Sequence, residues 1–202
     1  MRDCLLVVFI KNYIIGKVKN KLTDEIGCKL TEKVHNSLVE HTFNIVSSID
    51  VPKLICYSDF VDNDFDWGKS VELSLQNGTN LGLRLKNVFD RGFLQGYKQI
   101  IVLGSETYDI DREYIESAFE SLKSYDVAIG AANDGGCVLL GLTKNFPVEM
   151  VNKCWGREKI FENTYHYFKS KGYLVKELPS LIDIDTYQDI ENCIEGSNLI
   201  KI

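Results

Sequence analysis

The sequence predicts one α/β domain, a three-layer sandwich whose mostly parallel, mixed sheet is covered by helices on both faces. Three observations carry this. The apolar runs CLLVVFI (4–10), KLICY (53–57), IIVLG (100–104) and DVAIGAA (126–132) carry few polar residues, as expected of strands buried on both faces. Segments with apolar residues at helical spacing alternate with them, the pattern that builds parallel strands through helical crossovers. The 202 residues show no repeat, linker or low-complexity tract and suffice for one core.

The elements follow in order. Residues 4–10 form the first strand; the opening MRDCLLVVFIKNY has too short an apolar segment and no small-residue cleavage site for a signal peptide. The Lys-rich loop KNYIIGKVKNK comes next. Thr23 or Asp24 then caps one long helix with Ile26, Leu30, Val34, Leu38 and Val39 on a face. Residues 53–57 are a second strand, Ser58 to Asp66 an acidic loop, and VELSLQ (71–76) a short strand. Thr79 or Asn80 opens a helix carrying Leu81, Leu85, Val88, Phe89 and Phe93, which closes near Gly96. After the 100–104 strand, Asp111 caps a helix with Ile115, Ala118, Phe119 and Leu122. The strand 126–132 leads through the turn Asn133-Asp134-Gly135-Gly136 into CVLLGL (137–142), a strand paired with a neighbour. A short helix after Pro147, a helix over 157–171, a strand over 173–178 and a helix from Thr186, with a capping-box start at Thr186-x-x-Asp189, complete the chain.

A net charge of −6 argues against a broad nucleic-acid surface, and no apolar stretch approaches the roughly 20 residues that cross a bilayer. The six cysteines show no C-x-x-C pair and no His at ligand spacing; they read as free thiols in a reducing, cytoplasmic setting. The sequon Asn77-Gly78-Thr79 lacks secretory context. A homo-oligomer is compatible with this composition.

Ligands of open α/β sheets bind beyond the carboxyl ends of the strands. Three such ends carry chemistry here. The first loop offers Lys11, Gly16, Lys17, Lys19 and Lys21 at a helix start, which suits a phosphate chain, although a solvated lysine loop reads the same way. It matches neither the Walker pattern nor G-x-G-x-x-G. The loop after 100–104 presents Glu106, a carboxylate able to hold Mg²⁺ or Mn²⁺ against a diphosphate, with Asp109 behind it. Asp134 to Gly136 form either a plain tight turn or a surface against which a substrate lies close to the backbone. Asp183 and Asp185 fall on one side of an extended segment, as a metal pair or a solvated edge.

Taken in order, KNYIIGKVKNKL (11–22), LQNGTNLGLRL (75–85), VLGSETYDI (102–110), GAANDGGCVLLGL (130–142), CWGREKIFENT (154–164) and DIDTYQDI (183–190) resemble the glycosyltransferase-like family DUF2064 across nearly the whole chain. The resemblance implies a nucleotide-diphospho-sugar transferase (GT-A, Rossmann-like) fold and a metal-dependent transferase acting on a nucleotide-activated donor. In that reading Lys11, Gly16, Lys17, Lys19 and Lys21 hold the nucleotide, and Gln76 and Arg84 either contact it or brace the loop. Glu106 and Asp185 carry Mg²⁺ or Mn²⁺. Asp134 and Asp185 are the catalytic carboxylates, and Gly135, Gly136 and Trp155 face a small-molecule acceptor. The donor is a nucleotide sugar, or a nucleoside triphosphate if the chemistry is nucleotidyl transfer with release of pyrophosphate. A third reading is a family member that binds a nucleotide without turnover, because the chain departs from the family pattern. Tyr13 and Ile15 stand where K-x-P-x-P-G-x-V-K-T-R-L has prolines, and Asn20-Lys21 where it has Thr-Arg. Glu106 and Tyr108 replace the Asp and Pro of G-[ST]-D-x-P, while Ala131 and Cys137 replace the Pro and Tyr of G-P-A-x-D-G-G-Y.

Overall fold

A computed structural model describes residues 3–62, 65–67, 71–152 and 159–193. Its elements are β1 (Cys4–Ile10), α1 (Asn20–Ile26), α2 (Cys28–Ser47), β2 (Lys53–Tyr57), β3 (Val71–Leu75), α3 (Leu81–Leu94), β4 (Gln99–Gly104), α4 (Arg112–Ser121), β5 (Val127–Ala132), β6 (Cys137–Leu142), a 3-10 turn (Val148–Met150), α5 (Ile160–Ser170), β7 (Val175–Leu181) and α6 (Tyr187–Asn192). All the strands form one sheet in the order β3-β2-β1-β4-β6-β5-β7. β6 runs antiparallel to β4 and β5, and every other pairing is parallel, so the sheet is mostly parallel and mixed.

Alternation of side chains along each strand splits the core into two layers. Leu6, Val8 and Ile10 of β1, with Ile101 and Leu103 of β4, pack against Val39 and Val46 of α2 and Ile115 and Phe119 of α4. Leu5, Val7 and Phe9, with Ile100 and Val102, face Leu85, Val88 and Phe89 of α3 and Phe168 of α5. All seven residues of β1 are buried, which accounts for its uninterrupted apolar run. A third cluster sits beyond the carboxyl ends, where Leu22 of α1, Val34 and Leu38 of α2, Ile184, and Ile190 of α6 meet. Among the described residues no helix is long and apolar enough to cross a membrane.

One element differs from the sequence expectation. The long helix expected from Thr23 or Asp24 is two helices. α1 begins at Asn20, and Gly27 interrupts the run with φ 79° before α2 begins at Cys28. A residue with positive φ cannot continue an α-helix, and glycine adopts it without a Cβ penalty, so the helix ends here and restarts. Elsewhere the offsets are small: β7 extends to Leu181, and the capping box at Thr186 and Asp189 is formed.

The chain crosses from β1 to β2 and β3 on one side and then returns to β4 on the other, so the strand order reverses between β1 and β4. Phe9 and Gly104 are paired across this switch point, which places Lys11 and Glu106 just beyond it.

Candidate functional site

The loop after β4 is held from three directions. Thr107 forms a backbone bridge with Asp183, and Ile184 N donates to Glu106 O at 3.0 Å. The Asp109 carboxylate accepts from Ile182 N at 3.2 Å, and Asp111 caps α4 by accepting from Tyr114 N at 2.7 Å. Tyr108, standing where the family carries proline, lies against His41 of α2 with ring centroids 4.4 Å apart, while His41 Nε2 donates to Ile110 O at 3.0 Å. A tilted ring contact with a helix thus restrains the loop where the family uses a rigid residue.

Two of the four predicted lysines converge on this loop. Lys11 Nζ is 2.5 Å from Glu106 Oε2. Lys19 Nζ donates to Ile184 O and lies 3.2 Å from Glu106 Oε1 and 3.8 Å from Asp185 Oδ1, its side chain wholly buried. Lys19 reaches this position from a left-handed backbone, φ 52° and ψ 41°, immediately before α1. Non-glycine residues adopt that conformation at a cost, and such strain persists where surrounding structure enforces it. Lys17 instead pairs with Asp59 at 2.9 Å, beyond β2, and Lys21 is exposed on α1. Gly16 is exposed with φ 83°.

Gln76 and Arg84 are engaged within the protein. Gln76 Nε2 donates to Ile10 O and Cys56 O, both at 3.1 Å, and its Oε1 accepts from Arg84 Nη1 at 2.9 Å. Arg84 Nε donates to Gly78 O at 3.0 Å. The pair ties the carboxyl ends of β1 and β2 to the start of α3 and so braces the first loop. Asp134 is exposed on the β5–β6 turn, where its Oδ1 accepts from Gly136 N at 2.8 Å and Gly135 takes φ 89°. Trp155 lies outside the described residues.

Several contributors were not singled out in the sequence. Asn12, buried beyond β1, accepts at Oδ1 from Asp59 N and Phe60 N at 2.9 and 3.1 Å and orders the loop after β2. Asn133 accepts from Asp183 N at 3.0 Å and donates to Asp189 at 3.2 Å, linking the turn to the 183–185 segment. His35 of α2 is buried behind Lys11, whose carbonyl its ring bonds, and beside the Tyr13 ring at 5.6 Å. A buried polar residue at a strand end is the one signal that could have marked Asn12.

The electrostatics are uneven. Burial opposes ionisation of Glu106, but the charges of Lys19 and Lys11 outweigh it and hold its carboxyl well below the usual range. Burial, then the Glu106 charge, pushes Asp183 the other way, up to about 7. Burial and next the Lys19 charge push His35 down to about 4. Among the described residues, five buried side-chain polar atoms lack a hydrogen-bond partner, and four of them belong here: His35 Nδ1, Ser105 Oγ, Glu106 Oε1 and Asp183 Oδ1. Such atoms are rare in folded proteins because each costs about 1–3 kcal/mol, so their concentration makes this edge the candidate site.

Residues 42–157 match the family described as an uncharacterized protein conserved in bacteria, DUF2064. The chain belongs to that family. No curated protein matches it in sequence. Its structure is similar to that of a protein from Desulfovibrio desulfuricans G20 named as a candidate nucleotide-diphospho-sugar transferase, with a TM-score of 0.85 and 25% identity over 100% of this chain and 95% of that one. CMP:2-keto-3-deoxy-manno-octonic acid synthetase, solved with CTP, shares the fold at a TM-score of 0.55 and 9% identity, covering 99% and 100% of the two chains. A manganese complex of Rv0371C from Mycobacterium tuberculosis H37Rv is similar at a TM-score of 0.50 and 12% identity over 98% of each chain. The fold is that of the nucleotide-diphospho-sugar transferases.

Proposed function

We propose that this DUF2064 member transfers a glycosyl group from a nucleotide sugar to a small-molecule acceptor. The observation that carries the reading is the convergence of Lys11, Lys19 and four unpartnered buried polar atoms at the switch point between β1 and β4. Lys11 and Lys19 would stabilise the charge that develops on a departing diphosphate, from positions already fixed before the reaction. Gly16 leaves the first loop room to approach the phosphates, while Lys17 and Lys21 supply outer positive charge. Gln76 and Arg84 support the nucleotide indirectly, by bracing that loop. On the acceptor side, Asp134 and Asp185 keep solvent-facing carboxylates able to take a hydroxyl proton, and Gly135 and Gly136 would border the acceptor.

The residues fit a divalent cation of modest demand. Among the described residues no group of three His, Cys, Asp or Glu side chains is arranged to hold a metal. Mg²⁺ and Mn²⁺ favour hard oxygens, and Mg²⁺ commonly takes one or two carboxylates and completes its shell with water and phosphate oxygens. Glu106, with a carboxylate of the 183–185 segment, would hold it, and the manganese complex of a protein of similar fold supports this. When bound, the ion would neutralise diphosphate charge.

The CTP complex favours one second reading, nucleotidyl transfer from a nucleoside triphosphate. Thermal unfolding with nucleoside diphosphates, nucleotide sugars and triphosphates, with and without Mn²⁺, tests both. A binder at one hundred times its Kd adds about 2.7 kcal/mol, which raises Tm by several degrees. The released product, nucleoside diphosphate or pyrophosphate, separates the two chemistries. No shift with any nucleotide would contradict both.

A further inference from the structure

We propose that the outer edge of β3 is where a second copy of this chain docks, antiparallel about a two-fold axis at Leu73; this does not depend on the transferase reading. β3 ends the sheet, paired with β2 alone among the described residues. The opposite edge strand, β7, is guarded by Pro179 and by the exposed Lys176 and Glu177, common means of blocking strand addition. β3, Val71-Glu72-Leu73-Ser74-Leu75, has neither proline nor lysine.

The strand fits its own copy in register. Gln76 N donates to Tyr57 O at 2.8 Å, and the backbone groups of successive strand residues point to opposite sides. Glu72 and Ser74 therefore turn their N–H and C=O towards β2, while those of Val71, Leu73 and Leu75 turn outwards. In an antiparallel pair, opposed residues of this kind exchange two bonds. Centring on Leu73 sets Val71 opposite Leu75 at each end and Leu73 opposite Leu73, for about six bonds. The side chains agree with this register. Apolar meets apolar in each pair, and Glu72 falls opposite Ser74 instead of its own copy.

A stable interface needs roughly 800 Å² per partner, more than a short strand supplies, so the contact must extend onto α3. There a groove of about 510 Å³ runs beside β3, lined by Ser74, Leu75, Val88, Arg91 and Leu94 among others. Leu75 is 50% exposed and Leu94 88%. The charges of this face balance, since Arg91 pairs with Glu72 and Lys86 with Asp90, although the whole chain carries −6. Two copies therefore meet here without the repulsion that opposes contact between acidic faces.

The test is sedimentation equilibrium of the full chain from about 0.01 to 100 μM, a range that covers interfaces of ordinary size. Wild type, Leu75→Pro, Leu75→Lys and Leu174→Glu would be compared. L75P removes an outward N–H and leaves the bonds to β2, a substitution that edge strands tolerate. L75K sets a charge opposite Val71. L174E changes an exposed leucine next to β7 and serves as the control. The expected result is a wild-type dimer, weakened about tenfold or more by L75P and L75K and unchanged by L174E. Melting of each variant at the lowest concentration checks the fold, and L75K carries the test if L75P melts early. A wild type that stays monomeric throughout overturns the proposal. So does a dimer that survives in the folded Leu75 variants, or one that L174E weakens equally.

Discussion

Replacing Lys19 by Met removes the one wholly buried cation of the site and nearly nothing else in volume. Lys19 Nζ stands 3.2 Å from Glu106 Oε1. At an effective dielectric of about 20 the attraction at that separation is ~5 kcal/mol. The charged hydrogen bond to Ile184 O contributes about 1.5–3 kcal/mol, and its acceptor would be left bare. The pairing with Asp185, at 3.8 Å and with that carboxylate half in water, adds little after screening. Against these losses, the desolvation of the ammonium is recovered, Lys11 remains on Glu106, and Glu106 can take up a proton. Breaking one side of a buried pair typically costs 3–5 kcal/mol, and Lys11 moves the expectation to the lower end, ~3 kcal/mol. At 202 residues this corresponds to a fall in Tm of about 6–12 °C. Urea unfolding at pH 7 measures the free energy, and the slope against denaturant should not change. A loss below 1 kcal/mol would refute the reasoning, since it would mean that the Lys19–Glu106 pair barely exceeds its own desolvation.

Two further predictions concern the frame around the site. His35 is neutral in the folded protein down to about 4 but protonates near 6.5 when unfolded, so its contribution is present above 6.5 and is lost as pH falls towards 4. The stability of wild type relative to His35→Gln should therefore decline by ~3 kcal/mol across that window, and a flat difference curve would show the imidazole titrating freely. At Gly130, a Cβ would stand 2.1 Å from Tyr114 Oη, so Gly130→Ala should cost about 1–3 kcal/mol in chemical denaturation. The cost should shrink by about 1 kcal/mol or more in a Tyr114→Phe background, although that change itself gives up the bond to Pro179 O; equal costs in both backgrounds would contradict the contact.

What could be read in the sequence was local. The run CLLVVFI announces a strand buried on both faces because seven consecutive side chains need cover, and Asp111 and Thr186 announce helix starts because their side chains satisfy nearby N–H groups. The break at Gly27 was missed because the apolar spacing of α1 and α2 runs on across it, and only a positive φ separates them. Site membership was harder still. Lys11 and Glu106 are 95 residues apart, and which of Lys11, Lys17, Lys19 and Lys21 reach Glu106 depends on the left-handed turn at Lys19 and on the bridge between Thr107 and Asp183. A separation of 50 residues likewise hid Asn133, which reads as a turn residue until Asp183 is laid beside it. For Gln76 and Arg84 the sequence leaves nucleotide contact and loop bracing open, and three of the bonds that define them run to backbone carbonyls of their own fold.

The account turns on whether the edge between β1 and β4 takes nucleotide phosphates. Calorimetric titration of a nucleoside diphosphate in Mn²⁺ into wild type and Lys11→Met tests it most directly, because Lys11 is 56% exposed and its loss should leave the fold intact. The account predicts binding to wild type and a loss of at least about tenfold, or about 1.4 kcal/mol, in K11M. Equal affinity in the two proteins would contradict it.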